Sequence, residues 1–455
     1  MQRRIINHRR IALSAVLILL SAALQPTAKG ANQYAQHNLI SDVPGLADQT
    51  DPNLVNPWGI SMSSTSPFWI SNNHSGVISV YDGQGKPAPT ANPIVVRIPV
   101  PSGGNPPAAP TGQVFNDTQG FVVNGKPAPF IFVTEDGTVS AWSPSADPAN
   151  AILMVDNSAA GAIYKGVALA NTSNGPMLYA ANFNAGTIDV FDGNFSPVIS
   201  AGAFTDPNLP AGFAPFNVQR IGRKLYVTYA MQDGAKHDDV AGAGNGFVDV
   251  FDVAGNLVTR LVSNGSLNSP WGLTLAPGNF GDFSYALLVG NFGDGAINAF
   301  DPCSGEFLGT LQDGNGARII ISGLWSLNFG NGRGAGDATT LYFTAGIAGS
   351  GNVEDHGLFG SIAIAPAPAP PSAQPTAANI NNFAFVPPIL TIGAGTQVLW
   401  TNQDPAEHTV VADDASFSSD GLQRNGTFSQ TFSIPGTYSY HCSIHPFMKG
   451  KIVVQ

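Results

Sequence analysis

The chain has 455 residues, 43% of them hydrophobic and only 11% charged, with 52 glycines and 35 prolines. That length suggests two or three domains, and low charge with abundant Gly and Pro points to many short strands joined by turns. The 27 Phe, 10 Tyr and 6 Trp argue against disorder, and the net charge of −11 supplies no basic stripe to track nucleic acid.

The chain opens as a targeting segment. Arg3, Arg4, Arg9 and Arg10 form a basic region ahead of an apolar run from Ile11 to Leu24, which is short for a membrane span. Small residues around Ala28-Lys-Gly-Ala31 offer a cleavage point, so residues 1–30 read as a signal peptide. An uncleaved anchor is the alternative, and the Arg9-Arg10 pair fits a twin-arginine signal poorly. No later segment is long and apolar enough to span a membrane, so the expected location is periplasmic or secreted.

Residues 31–364 are built from repeats. Pro57-Trp-Gly-Ile60 leads to Phe68-Trp-Ile-Ser71, a polar turn, and Val77-Ile-Ser-Val-Tyr-Asp82. Pro270-Trp-Gly-Leu273 leads in the same way to Ala286-Leu-Leu-Val289 and Ala296-Ile-Asn-Ala-Phe-Asp301. Between them, Lys165-Gly-Val-Ala168 leads to Leu178-Tyr-Ala-Ala181 and Thr187-Ile-Asp-Val-Phe-Asp192, and three weaker copies begin near Thr111, Phe216 and Leu324. The period of roughly 50–60 residues is that of β-propeller blades. Six blades are expected, with five or seven as alternatives. Outer strands follow in several units, at Pro93–Val96, Ile152–Val155 and Leu257–Arg260. The sixth unit lacks one, and the orphan segment His37–Asp42 is expected to complete that blade and close the ring.

The turns between second and third strands share a face with the crossovers between blades. That face gathers His74, Glu135, Asp136, Asn182, Asp233, His237, Asp238, Asp239, Asn291, Asp294, Glu354, Asp355 and His356. For most of these the plain role is to satisfy a hairpin turn. The long insertion from Gln232 to Asn245 is the best candidate for a binding loop for an unknown ligand or protein. Its Asp238, Asp239 and His237 form no recognised metal-site spacing. Stretches such as Asp51-Pro-Asn-Leu-Val-Asn-Pro-Trp-Gly59 and Gly290-Asn-Phe-Gly-Asp-Gly295 resemble an uncharacterised bacterial family of exported, propeller-like proteins. That resemblance brings no activity with it.

Residues 365–378 alternate Ala and Pro, which disfavours helix and sheet and makes a semi-extended linker, on the order of 40 Å at about 3.1 Å per residue. Residues 379–455 then read as a small β-sandwich. Phe383 and Phe385 alternate, and strands follow at Gln397–Trp400, Phe428–Phe432, Gly436–His441 and Lys451–Val454. So small a core is expected to gain stability from metal ligation.

The final strands carry the chemistry. Cys442-Ser-Ile-His445-Pro-Phe-Met448, with His408 upstream, supplies a thiolate, two imidazoles and a thioether, the donor set of a blue-copper electron-transfer site. If Cys442 is a metal ligand, no intramolecular disulfide is available, because the only other cysteine is Cys303, in a turn. The segment Tyr438-Ser-Tyr-His-Cys-Ser-Ile-His-Pro-Phe-Met-Lys-Gly-Lys-Ile-Val-Val454 closely resembles the end of the amicyanins, among the plastocyanin-like cupredoxins. The fold class implied for the whole chain is all-β, a propeller followed by a cupredoxin sandwich. The resemblance implies one type 1 copper ion, with His408, Cys442 and His445 as its plane and Met448 as a weak axial ligand. It also implies that Asn402 ties the His408 loop to the Cys442 loop, a supporting role outside the ligand set. Pro446 and Phe447 beside His445 form the expected docking rim for a redox partner, and His441 should face away from the metal.

An electron carrier is therefore expected, and no hydrolase or oxidase site stands out. The competing reading makes the propeller a catalytic module with the copper domain as its relay. Nitrous oxide reductase joins the same two folds, but it needs a second cysteine near Cys442 and many propeller histidines. This propeller offers only His37, His74, His237 and His356.

Overall fold

The computed structural model describes residues 33–199, 202–349, 354–365 and 375–455. The expected signal peptide and most of the Ala-Pro linker lie outside these residues. Among the described residues there is no α-helix, only two 3-10 turns, Ser158–Ala160 and Gly281–Phe283. No helix among them is long and apolar enough to cross a membrane. The chain divides into two compact units after Ala365.

The first unit contains six main sheets, antiparallel except for one short parallel pairing of Gln49–Thr50, and one small two-stranded hairpin. Each main sheet follows the expected order of a strand, a second strand, a hairpin and a third strand. The first strands are Pro57–Ser61, Pro110–Phe115, Tyr164–Thr172, Phe213–Ile221, Pro270–Leu275 and Leu324–Phe329. Each packs against the first strand of the next sheet, and the sixth packs back against the first, so the six encircle one axis. Side chains stitch this inner ring. Gln113 Nε2 donates to Gly59 O at 2.7 Å, Asn217 Nδ2 to Trp271 O at 2.8 Å, and Thr344 Oγ1 to Trp58 O. The glycine of the repeated Trp-Gly pair is required by that closeness. A Cβ on Gly59 would sit 2.6 Å from Thr111 O, and one on Gly272 would sit 2.6 Å from Trp325 O.

The N-terminal strand Tyr34–Ser41 pairs antiparallel with His356–Ile364, the third strand of the sixth sheet, so the two ends of the unit meet in one blade. This is the closure expected from the sequence, and it leaves no gap in the ring for another chain to pair with. One detail goes beyond the sequence expectation: the fifth sheet has an outer strand, Phe307–Thr310, too short and too exposed to stand out by pattern. The third sheet has three strands, and no outer strand was expected there.

The second unit is a sandwich of two four-stranded sheets. One holds Ala384–Val386, Thr376–Asn381, Thr396–Asn402 and Thr427–Phe432, and the other holds Ile389–Ile392, Lys449–Val454, Gly436–His441 and Val411–Ala412. Lys449–Val454 buries every second residue, the period of a strand with one face in the core. The first strand starts at Thr376, inside the expected linker, because residues 376–380 pair in parallel with residues 398–402. Prolines stop at Pro375, and the backbone N–H groups after it are free to join a sheet. Trp400 is fully buried at the centre, with Phe417 stacked on it, Phe428 tilted and Phe432 edge-on against it, and its Nε1 donates to Tyr440 Oη at 3.2 Å. Phe383, expected in a strand, instead sits in the turn Asn382-Phe383, both residues at left-handed φ, while Phe385 enters the core.

Candidate metal centre and the propeller face

Three elements converge at one end of the sandwich. The strand Gly436–His441 delivers Cys442, and the loop after it doubles back so that Met448 N donates to His445 O at 2.9 Å and Cys442 N to Met448 O at 3.2 Å. His408 comes from the opposite side, fixed by two backbone hydrogen bonds with Leu422. Cys442 Sγ lies 3.8 Å from His408 Nδ1 and 3.7 Å from His445 Nδ1. The three donor atoms all fall within 4.8 Å of one another. His408, Cys442 and Met448 are buried, and His445 is half-buried with its loop at the surface.

The surroundings hold these donors in place. Thr409 N–H donates to the Cys442 sulfur at 3.3 Å and fixes where it points. Thr409 Oγ1 also meets Ser443 Oγ at 2.9 Å and accepts from Ser443 N at 2.8 Å. Thr409 therefore performs the tie between the His408 and Cys442 loops that the sequence assigned to Asn402. Asn402 serves a different join. Its Nδ2 donates to Ala406 O and Leu422 O, both at 2.8 Å, and its Oδ1 accepts from Asp404 N. It braces the His408 loop against the Leu422 segment, because its strand runs beside that segment and not beside Cys442.

Asp404 was not singled out by the sequence. Its Oδ2 faces His408 Nε2 at 3.1 Å, leaving Nδ1 for the centre. Burial works against its charge, but N–H donors from Phe383 and Asn382, with His408, outweigh that and hold its pKa down. The same two hydrogen bonds pin the Asn382-Phe383 turn. Phe383 consequently presents its ring edge-on to both imidazoles, 5.2 Å from His408 and 5.0 Å from His445. A carboxylate four residues before a ligand histidine was the available signal for Asp404. For Phe383 only the turn-forming Asn381-Asn382 pair hinted at its position. His441 turns outward, as expected, and pairs with Asp413 at 2.6 Å.

On the propeller face, the structure brings some of the expected residues together and leaves others in turns. Glu135, His237 and Asp238 converge within 4.8 Å. Lys165, which the sequence analysis passed over, enters among them. Its ammonium pairs with Glu135 and approaches Asp238 at 3.4 Å, above the rings of Trp58 and Phe183. Lys165 is fully buried. Desolvation opposes its charge, but Glu135 and Asp238 more than compensate and raise its pKa. Asp238 is held at about 2, mainly by its hydrogen bond with His237. Glu354 is pushed up to about 7 by burial, accepting from Asn56 Nδ2 at 3.0 Å, and Asn56 also meets His74 and Trp325. The signal for Lys165 was a charged residue at the repeat position that holds Trp58 and Trp271.

The remaining residues of that face are local. Asn182, Asp233, Asn291 and Asp294 accept or donate hydrogen bonds inside their own turns or to a neighbouring loop. Asp136 caps Ala109 N, and Asp239, half-buried in the same loop as His237, has its pKa raised by desolvation. Asp355 lies beside His356 in the crossover, and His356 pairs with Asp42 at 2.7 Å. The four propeller histidines each have a separate neighbour: His37 with Asp48, His74 with Asn56, His237 with Asp238 and His356 with Asp42. They form no common cluster among the described residues.

A family model described as a cupredoxin-like domain matches residues 358–454. The chain is 39% identical over 88 residues to amicyanin-alpha of Methylorubrum extorquens, covering 18% of this chain and 74% of that protein. The crystal structure of amicyanin from Paracoccus versutus is similar at 29% identity and TM-score 0.17, covering 18% of this chain and 83% of that one. An uncharacterised protein of Acanthamoeba polyphaga mimivirus is 35% identical over 339 residues, 71% of this chain and 78% of that protein. So long a match must run well into the first unit, and its source is viral, which lends no support to the expected bacterial origin of that family. The C-terminal domain is cupredoxin-like, and that homology implies copper binding. The donors fit: a buried sulfur flanked by two ring nitrogens, with Met448 buried in the same core cluster as Cys442, is a set that favours copper over hard cations.

Proposed function

Because this chain belongs to one family with an uncharacterised mimivirus protein and ends in a cupredoxin-like domain related to amicyanin, we propose that it is an exported electron-transfer protein with a single type 1 copper centre. His408, Cys442, His445 and Met448 would hold the ion. Copper bound there supplies a one-electron couple between its cupric and cuprous states. The observation that carries this reading is the approach of Cys442 Sγ to both histidine Nδ1 atoms, at 3.8 and 3.7 Å.

The chain's own residues supply the rest. Thr409 N–H fixes where the sulfur points, and Asp404 fixes the orientation of His408. Both are backed by strands, so the donors stay in place whatever the charge of the centre, which keeps reorganisation small. Phe383 and the buried core exclude water from one side. On the other, His445 reaches the surface beside Pro446, Ile444 and Phe447, the last 72% exposed. Exposed apolar side chains around the one accessible ligand suit brief docking of a redox protein. We assign the propeller a binding or docking role, its face carrying the long Gln232–Asn245 loop. The basic-then-apolar start of the chain supports export to the periplasm or beyond.

The test is reversible redox titration of the copper-loaded full chain, followed optically. One electron per chain should bleach and restore a blue band, and Cys442→Ala should show neither. A chain that takes up copper without such a band, or cycles unchanged without Cys442, refutes the proposal.

A further inference from the structure

The axis of the first unit is asymmetric. At the end nearest the Gln232–Asn245 loop it is sealed. Trp58 stacks on Trp325 at 3.4 Å, Trp271 meets both edge-on, and Phe292 stacks on Trp325 at 4.0 Å. Lys165 and its carboxylates close the same end, each charge already matched within the protein. Below this plug the inner strands part into a narrow axial space floored by Trp271, which widens into a cavity of about 200 Å³ at the opposite end. The two share Ile60, Gln113, Gln219 and Asn328 in their walls and form one blind cup.

The lining of the cup is polar but carries no net charge. Gln113 is held rigid, donating to Gly59 O and Trp69 O and accepting from Ser61 Oγ. By contrast, the side-chain amides of Gln219 and Asn328 also line the space, and among the described residues neither has a protein hydrogen-bond partner. Each offers two donors and an acceptor. At the lip, Arg220 Nη2 bonds Asp117 Oδ2 at 3.1 Å, leaving the second carboxylate oxygen and further guanidinium N–H groups free. Ile60, Leu169 and Phe115 supply the apolar part of the wall.

These features exclude most ligand classes. An ion gains nothing from a wall whose only charges cancel. A purely apolar molecule would strip water from free amides without replacing their hydrogen bonds. A solute that fits must present many neutral donors and acceptors around a ring with exposed C–H groups. A cavity of about 200 Å³ with an open mouth admits one small ring and leaves no room for a large ligand to be engulfed. We propose that this cup binds a neutral monosaccharide, alone or as the end unit of a glycan, through Gln219, Asn328 and the Arg220–Asp117 pair. The site is independent of the copper centre, and a docking role for the propeller would then be docking to a glycosylated surface.

Saturation-transfer NMR on the full chain with glucose, galactose, mannose and N-acetylglucosamine tests this directly. At least one sugar should give saturable transfer. The affinity should fall tenfold or more in the double variant Gln219→Leu, Asn328→Leu. Arg220→Leu, at the exposed lip where folding is not at stake, should weaken the same sugar several-fold. No transfer from any of the four sugars overturns the proposal, as does binding that both variants leave unchanged.

Discussion

Both units bury ionisable side chains at one end of a β-structure, and they balance them in opposite ways. At the propeller axis, Lys165 brings its own counter-charges, Glu135 and Asp238, and a bed of aromatic rings. At the end of the sandwich, Cys442, His408 and His445 converge without any ion pair to a lysine or arginine among the described residues, while Asp404 and Thr409 orient them. A buried cluster that supplies its own cation is complete as a structural plug. One composed of soft donors, each steered by a neighbour, is built around a metal. Similar burial therefore carries different functional meaning, decided by whether the chain closes its own charge balance.

That contrast can be broken at several points. The largest effect should come from Cys442→Ala, which removes the sulfur donor: the copper-loaded variant should lose the blue absorption entirely, as an optical spectrum would show, while the first unit melts as before. Lys165→Met should destabilise the first unit by about 3 kcal/mol, because half-buried Glu135 loses its ammonium and keeps only the Asn73 Nδ2 donor. Denaturant melts would measure this, and the copper spectrum should not change. An unaffected melt would mean that the plug is not held by its ion pairs.

Asn402→Ala should cost the sandwich about 1–3 kcal/mol, since Ala406 O and Leu422 O lose their donors. Metal affinity should drop with it, measured by competition with a copper chelator. A pH-dependent effect concerns Asp249, buried beside Asp206 and Arg260 in the fourth sheet. Burial and then Asp206 raise its pKa from 3.8 to about 7. A raised folded-state value means that the protonated form is the stabilised one. Its contribution is complete below about pH 4 and is lost as pH rises to about 7. Asp249→Asn should flatten the stability of the first unit over that window, and an unchanged pH profile would place the titration elsewhere.

Legibility in the sequence followed chain distance. Cys442, His445 and Met448 sit in one loop with a fixed spacing, so local chemistry named them, and the Trp-Gly repeats named the blades. What the sequence hid was long-range. Glu135, Lys165 and Asp238 come from three different sheets or loops and meet only because the ring closes. Thr409 took the place expected of Asn402 because hydrogen-bond partners depend on which strands lie side by side, which spacing alone does not specify. Phe383 looked like one step of a strand pattern, yet Asp404 captures its backbone and turns it over the histidines.

The most direct measurement is the combined optical and electron paramagnetic resonance spectrum of the purified, oxidised, copper-loaded full chain. Ligation by Cys442, His408 and His445 predicts an intense blue band and the narrow hyperfine splitting of a thiolate-bound cupric ion, at one copper per chain. A pale sample with the wide splitting of ordinary nitrogen- and oxygen-bound copper would contradict it.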